Sequence, residues 1–395
     1  MSTTTVDPAP GANLATLRKE HGWTQRKLAR TAGISESLLS KIEVGDRTLT
    51  PEVATSVATP MGLTMDEVLG KATVERHDEA PLSALRSAIR DYDLPDGRTV
   101  EEGAVTEGLR AADSRRRKVD VATLKRTLPG LLRDATVHAH TRNTPEAWMV
   151  LADVYSSVYW LAARHRWMDM AELAVTRQRW AVGQKPNPLG MAVAARDRAG
   201  TYLNFGDIER GLTLVDRAIA DAQSNLSGQD RDIAVAILNL RGMTLAGRLK
   251  DKREAKREAQ RHIDSAHNAC IGMHEDISVH GLTIGPQNTF THELATCVDL
   301  GKPHDALSLT DNLSRALQGL PPTRIAPTYI NTARAQLDTG DRDGALENLC
   351  KAWEVAPQMA RIHPMGREVF RVVSSLHRRS NAKLMKLSKM SGIEV

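Results

Sequence analysis

Several residue clusters in this chain have the types and spacings that chemistry requires. His292-Glu293-Leu294-Ala295-Thr296 comes within one residue of the H-E-x-x-H zinc motif, but Thr296 stands where the second histidine is needed. His267, Cys270 and His274 fall at i, i+3 and i+7, roughly one helix face. They offer three soft ligands where a closed site needs four, and His262 lies off the line, so a packed cysteine between satisfied histidines is expected. No G-x-x-x-x-G-K-[ST] phosphate loop, G-x-S-x-G elbow or G-x-G-x-x-G turn occurs. The expectation is a chain that is no enzyme and holds no metal and no cofactor. Recognition chemistry is better represented. Asn288 and His292, just after Gly285-Pro286-Gln287, lie four apart and share a helix face. An amide can pair with both the N–H and the C=O of an extended peptide; the alternative is a helix-start asparagine and a surface histidine. Arg324 and Asn331, seven apart, extend the same polar stripe, with Tyr202 and Asn204 as weaker members.

The elements that must position these groups are helices. At 395 residues the chain exceeds one ordinary core, and its 41% hydrophobic content is that of a globular protein. Aromatics make up only 4%, while alanine, leucine and arginine are common, which favours helix over sheet. The longest apolar runs, such as Val158 to Ala163, are far too short for a membrane span. The opening residues have neither a basic start nor an apolar stretch, and residues 1–10 read as a loose tail. Cys270, Cys297 and Cys350 are odd in number and form no C-x-x-C pair, which suits a reduced, cytoplasmic setting. The net charge of +5 permits a nucleic-acid partner without arguing for one.

Residues 11–70 carry the clearest local punctuation. Gly22 stops a first helix, and Thr24 caps a second on which Leu28 and Ala29 face inward. Gly33 supplies the left-handed residue of a tight turn, and Ser35 caps a third helix with Leu39 and Ile42 inward. Gly45 ends it. Thr50-Pro51-Glu52 reads as the cap and first turn of a fourth helix, and Thr64 with Glu67 as the capping box of a fifth.

Five short helices, two of them joined through Ala32-Gly33-Ile34, resemble the lambda-repressor-like (Xre-type) helix-turn-helix family. Thr24, Gln25, Leu28, Ala29, Gly33, Ile34, Ser35, Leu39, Ser40, Ile42, Glu43 and Gly45 carry the resemblance without an insertion. The resemblance implies that the third helix reads bases in the major groove of double-stranded DNA through its exposed Glu36, Ser37, Ser40 and Lys41. A carboxylate accepts from cytosine N4, a hydroxyl reads several bases, and an ammonium favours guanine O6 or N7. Each of these residues also has a plain alternative as a solvated surface group. By the same resemblance Gln25 touches backbone phosphate, with Arg47 as a second phosphate contact, and Arg18 with Glu43 forms a structural ion pair. Seven basic residues stand against four acidic ones between 12 and 47. That modest excess implies weak, salt-sensitive binding by one copy, which a homodimer would strengthen.

Residues 71–100 read as a linker with a short helix over 81–92, broken at Asp93-Leu94-Pro95-Asp96-Gly97. Helical spacing resumes at about Thr99, with Pro129-Gly130 expected to start or interrupt an element. Arg115-Arg116-Arg117-Lys118, the densest basic run, reads as a solvated helix face rather than a DNA contact. The C-terminal basic residues His377, Arg378, Arg379, Lys383, Lys386 and Lys389 read as a last capping helix with a wet face.

Farther along, aligning Gly206, Gly301 and Gly340 exposes a weak repeat. Small residues recur five positions after each (Gly211, Ala306, Ala345), and apolar or small residues seven before. Two more helix pairs are expected, 145–164 with 168–183 (small residue Ala171) and 228–249 with 251–273. The pattern resembles tetratricopeptide repeats, and the expected fold is all-α: a five-helix lambda-repressor-like domain followed by a tetratricopeptide-like α-solenoid over 101–395. This layout is similar to peptide-responsive bacterial regulators. It implies a sequence-specific transcriptional regulator whose body dimerises and takes a peptide or small-molecule effector, with Asn288, His292, Arg324 and Asn331 in the groove. The alternatives are a helical-repeat interaction scaffold tethered to DNA, or a phage-type or antitoxin repressor.

Overall fold

A computed structural model describes residues 9–61, 63, 65–70, 79–377 and 381–393. The N-terminal domain holds α1 (Pro10–Glu20), α2 (Gln25–Ala32), α3 (Glu36–Val44), α4 (Pro51–Ala58) and α5 (Met65–Leu69). Its helices begin and end at residues chosen for the purpose. The hydroxyls of Thr24, Ser35 and Thr50 accept from the backbone N–H of Lys27, Leu38 and Val53 at 3.1, 3.1 and 3.2 Å. Gly33 (φ 71°) and Gly45 (φ 89°) take the left-handed conformation that ends α2 and α3. Leu14, Leu28, Leu39, Ile42, Leu49, Val57 and Val68 form the domain core. The amide of Asn13 donates to the carbonyls of Glu67 and Val68, tying α1 to α5. Thr64 of the expected capping box lies outside the described residues, as do 1–8, 71–78 and Arg378–Arg379.

The rest of the chain is built from α6 (Glu79–Arg90), α7 (Glu102–Lys118), α8 (Val121–Arg142) and then successive helix pairs. These are α9 (Pro145–Arg164) with α10 (Met168–Val182), α11 (Pro188–Phe205) with α12 (Ile208–Asn225), and α13 (Gly228–Ala246) with α14 (Lys252–Ala269). The pairing continues through α15 (Pro286–Asp299) with α16 (Pro303–Ser308), the short α17 (Leu313–Ala316), and α18 (Pro322–Thr339) with α19 (Arg342–Val355). The short α20 (Met359–Ile362), α21 (Pro364–Leu376) and α22 (Ala382–Ser391) close the array. Gly206, Gly301 and Gly340, with φ of 77°, 71° and 85°, each end the first helix of a pair. Gly211 shows why small residues follow: a Cβ there would sit 2.8 Å from the Leu245 side chain. This is a tetratricopeptide-like α-solenoid. Its two ends meet, because Gln358 accepts from the Ala122 amide at 3.0 Å and donates to Asp120 at 3.3 Å.

Two sequence expectations need correction. α6 is no linker helix: Leu82, Leu85, Ala88 and Ile89 belong to the main core, so the solenoid takes over by residue 79. Tyr92 packs edge-on against Trp180 at 4.7 Å, anchoring the same segment. Pro129 interrupts nothing, since α8 runs through it with Leu128, Leu131, Leu132 and Ala135 buried. Burial of that face outweighs the hydrogen bond proline cannot donate. Between α14 and α15 the chain forms a hairpin of β1 (Ile277–Val279) and β2 (Leu282–Ile284), paired Ile277 to Ile284 and Val279 to Leu282. Its two-residue turn is His280-Gly281, φ 50° and 64°, the twist that a tight antiparallel turn prefers. No described helix is long and apolar enough to cross a membrane.

Candidate DNA interface and an arginine-lined cavity

On α3 the side chains of Glu36, Ser37 and Lys41 are exposed and Ser40 is half-buried, while Leu39 and Ile42 root the helix in the core. Behind this face, Arg18 and Glu43 meet through two contacts, Nε to Oε1 at 2.6 Å and Nη2 to Oε2 at 2.8 Å. The two side chains are only 9% and 5% exposed. Arg18 also donates to the Trp23 carbonyl at 2.7 Å, so one guanidinium ties α1, the α1–α2 turn and α3 together. Burial alone would raise the Glu43 carboxyl, but hydrogen bonds from Arg18 and Gln25 and the Arg18 charge hold it below its ordinary value.

The two residues proposed for phosphate are placed otherwise. The Gln25 amide spends a hydrogen on Glu43 Oε2 at 2.8 Å, bracing the ion pair. Arg47 reaches across to the solenoid and pairs with Asp338 at 2.9 Å. It belongs to a seam along which the N-terminal domain rests on the body. Leu49 N–H donates to Glu368 at 3.1 Å, Lys252 pairs with Glu52, and Arg166 donates to the Gly70 carbonyl. Burial pushes the Glu368 carboxyl up, yet it still accepts this backbone bond.

Beside the seam lies a cavity of about 340 Å³. The first helices of the solenoid pairs form its wall, with Arg164 from α9, Arg196 from α11, Arg241 from α13, His292 from α15 and Arg324 from α18. Arg116 and Arg117 enter from α7, Gly281 to Thr283 of the hairpin close one side, and Pro51, Met65 and Leu69 of the N-terminal domain close another. Eight arginines line it, and Asp197 is the single carboxylate among the described lining residues. Asp197 is already committed, to Arg196 at 2.6 Å, Ser156 at 2.7 Å and Gln178 at 3.2 Å. Arg248 pairs with Asp299 at 3.2 Å, and Asp299 also holds Arg334 at 2.8 Å.

Among the described residues Arg116, Arg164, Arg241 and Arg324 form no ion pair, although the Asp113 carboxylate lies near enough to Arg116 to favour its charge. Arg116 donates to the Gly281 carbonyl, Arg241 donates to the Arg196 carbonyl at 3.2 Å, and Arg164 lies 4.2 Å over the Trp160 ring. The buried Nε of Arg164 and of Arg324 have no hydrogen-bond partner. Burial, then the charges of Arg196 and Arg164, push Arg324 down to about 9; burial also brings Arg164 to about 9 and Arg241 to about 10. Burial and the facing Arg324 hold His292 well below the usual imidazole range.

The four groove residues named from sequence therefore separate. His292 and Arg324 share the cavity wall, and Asn204 joins them. Asn288 is buried outside it, donating to the Thr283 carbonyl at 2.7 Å and holding the hairpin on α15. Asn331 accepts from Arg334 at 2.9 Å and does not line the cavity. Arg116 corrects the reading of 115–118 as a wet face, since it is buried in the wall. The signal for the wall was present: Arg196 follows Ala192-Val193-Ala194-Ala195, and Arg241 follows Ile237-Leu238-Asn239-Leu240. A charge set inside an otherwise apolar helical run asks for a special environment. Of the soft-ligand trio, His267 bonds Glu293 at 3.0 Å and Cys270 lies 3.8 Å from the Thr289 hydroxyl.

The N-terminal domain is thus a set of five short helices with an exposed third helix, set on an α-solenoid. Residues 14–68 match the family model described as helix-turn-helix, so this segment is a helix-turn-helix domain. No curated protein matches the chain. Among solved structures it is similar to Bacillus thuringiensis PlcR in complex with the peptide PapR7 and DNA, at 10% identity over 78% of this chain and 94% of that one, with a TM-score of 0.35. It is also similar to the PrgX/iCF10 complex, at 11% identity over 98% of this chain and 96% of that one, with a TM-score of 0.25.

Proposed function

We infer that the chain is a sequence-specific DNA-binding transcriptional regulator that responds to an effector through its helical body. The observation that carries this reading is α3 itself: in a matched helix-turn-helix domain it presents Glu36, Ser37 and Lys41 to solvent on a helix braced from behind by Arg18 and Glu43. Those three side chains, with Ser40 beside them, read bases. Gln25 and Arg47 serve the phosphates only after leaving Glu43 and Asp338, so their contribution is conditional on rearrangement. Two copies acting together would place their α3 helices in successive major grooves about 34–36 Å apart. The effector would act on the body, where the cavity touches both the solenoid and the N-terminal domain.

The test is selection of genomic DNA fragments by the purified full chain, beside a Glu36→Ala, Ser37→Ala, Lys41→Ala variant. An inverted repeat enriched by the wild type and lost by the variant is the expected outcome. Enrichment of the same fragments by both proteins would overturn the assignment of α3 as the reading helix.

A further inference from the structure

We propose that the cavity between the N-terminal domain and the solenoid binds a small, multiply phosphorylated molecule. The inference rests on the reading of the body as the effector module and names the effector's chemistry. Four guanidiniums, those of Arg116, Arg164, Arg241 and Arg324, face one space, and among the described residues none forms an ion pair. Arg116 donates to the Gly281 carbonyl and reaches the Ser157 hydroxyl at 3.5 Å, Arg241 bonds one carbonyl, Arg164 stacks on Trp160, and the buried Nε groups of Arg164 and Arg324 have no acceptor. Buried charge normally comes with a counter-charge, because desolvation is otherwise uncompensated. A cluster of like charges converging on one cavity is therefore suited to a ligand of opposite charge.

Phosphate fits this cluster better than carboxylate. A phosphate monoester carries nearly two charges and three acceptor oxygens at neutral pH, and the guanidinium fork matches it bidentately. Several carboxylates would be needed to present the same charge, in a volume of about 340 Å³. That volume lies near the lower end of small-molecule sites, roughly 300–1,000 Å³. An extended peptide advances about 3.3–3.6 Å per residue, so only a short piece of one would fit. A nucleic-acid duplex cannot enter. The shifts of Arg164 and Arg324 to about 9 agree with the geometry, since each group is poised to gain from an arriving anion.

The experiment is calorimetric titration of the full chain with inorganic tripolyphosphate, with sulfate as the singly anionic-centre control. One site per chain is expected, with sulfate binding far more weakly. An Arg164→Met, Arg324→Met double variant should weaken tripolyphosphate by at least about 30-fold, since removing charged partners of a buried anion acts on the bound state directly. The same variant should melt at a higher temperature than the wild type without ligand, because two mutually repelling buried charges are gone. A merely structural role for these arginines would lower it. No binding, binding unchanged in this variant, or binding lost instead in an Arg26→Ala, Lys27→Ala, Lys41→Ala variant would overturn the proposal, the last by placing the polyanion on the DNA face. Fragment selection run in phosphate-free buffer separates the two readings. Specific DNA with no cavity binding sinks only the ligand class, and cavity binding with no specific DNA sinks only the regulator.

Discussion

Arg18 and Glu43 sit 25 positions apart, yet they determine how firmly α3 is held. Breaking a buried pair from one side strands the other charge, so Arg18→Ala should cost about 3 kcal/mol of domain stability, measured by urea unfolding. Because the Glu43 carboxyl is held below its ordinary value in the folded state, its contribution is fully present above about pH 4.5 and lost as the pH falls through its folded value. The wild type should therefore lose stability in that acidic window more steeply than Glu43→Gln. This pair was legible in the sequence through the family resemblance, because both residues stand at fixed positions in a short motif. The role of Gln25 was not: whether an amide faces solvent or a neighbouring carboxylate depends on the crossing of α2 and α3, which one sequence does not print. Asn288 failed for a related reason. Its helix start is visible, but its amide is taken by a hairpin whose signal is only three residues a side, Ile277-Ser278-Val279 and Leu282-Thr283-Ile284 around His280-Gly281.

At the scale of elements, the caps and left-handed glycines were readable because each acts within three or four residues. Gly11 is different. A Cβ there would collide with the Ile42 carbonyl of α3, so α1 and α3 cross at the closest approach two backbones allow. Gly11→Ala should destabilise the domain by about 2–3 kcal/mol, as overpacking does, and push α3 outward. Thermal melting and amide spectra of the variant check this; an unchanged melt would mean that the helices are not in contact there. The solenoid pairs were likewise visible in small residues and glycine-ended helices. The cavity was not, because its arginines come from helices spread over some two hundred positions and fall at different heights along each one. Only the superhelical stacking brings them onto one wall.

For the whole molecule, the seam matters most. Arg47, Leu49, Glu52 and Gly70 of the N-terminal segment are all held by the body, through Asp338, Glu368, Lys252 and Arg166. Removing the Glu368 acceptor leaves the buried Leu49 N–H unsatisfied at a cost of about 1–3 kcal/mol. Glu368→Ala should therefore speed hydrogen exchange at Leu49 by roughly 5- to 150-fold with exchange in the core of α9 unchanged. Equal rates in variant and wild type would mean that the seam opens independently of this bond. A seam of this kind gives an effector in the neighbouring cavity a physical route to the N-terminal domain, since Pro51, Met65 and Leu69 of that domain line the cavity. The regulator reading depends on α3 reading sequence, and its most direct test is the affinity ratio between a selected fragment and its scrambled counterpart, at fixed salt, for wild type and Lys41→Ala. The account predicts a wild-type ratio of about 1,000 or more, falling by roughly 5- to 150-fold in the variant as one base contact is lost. A wild-type ratio near one, or a ratio that Lys41→Ala leaves untouched, would contradict it.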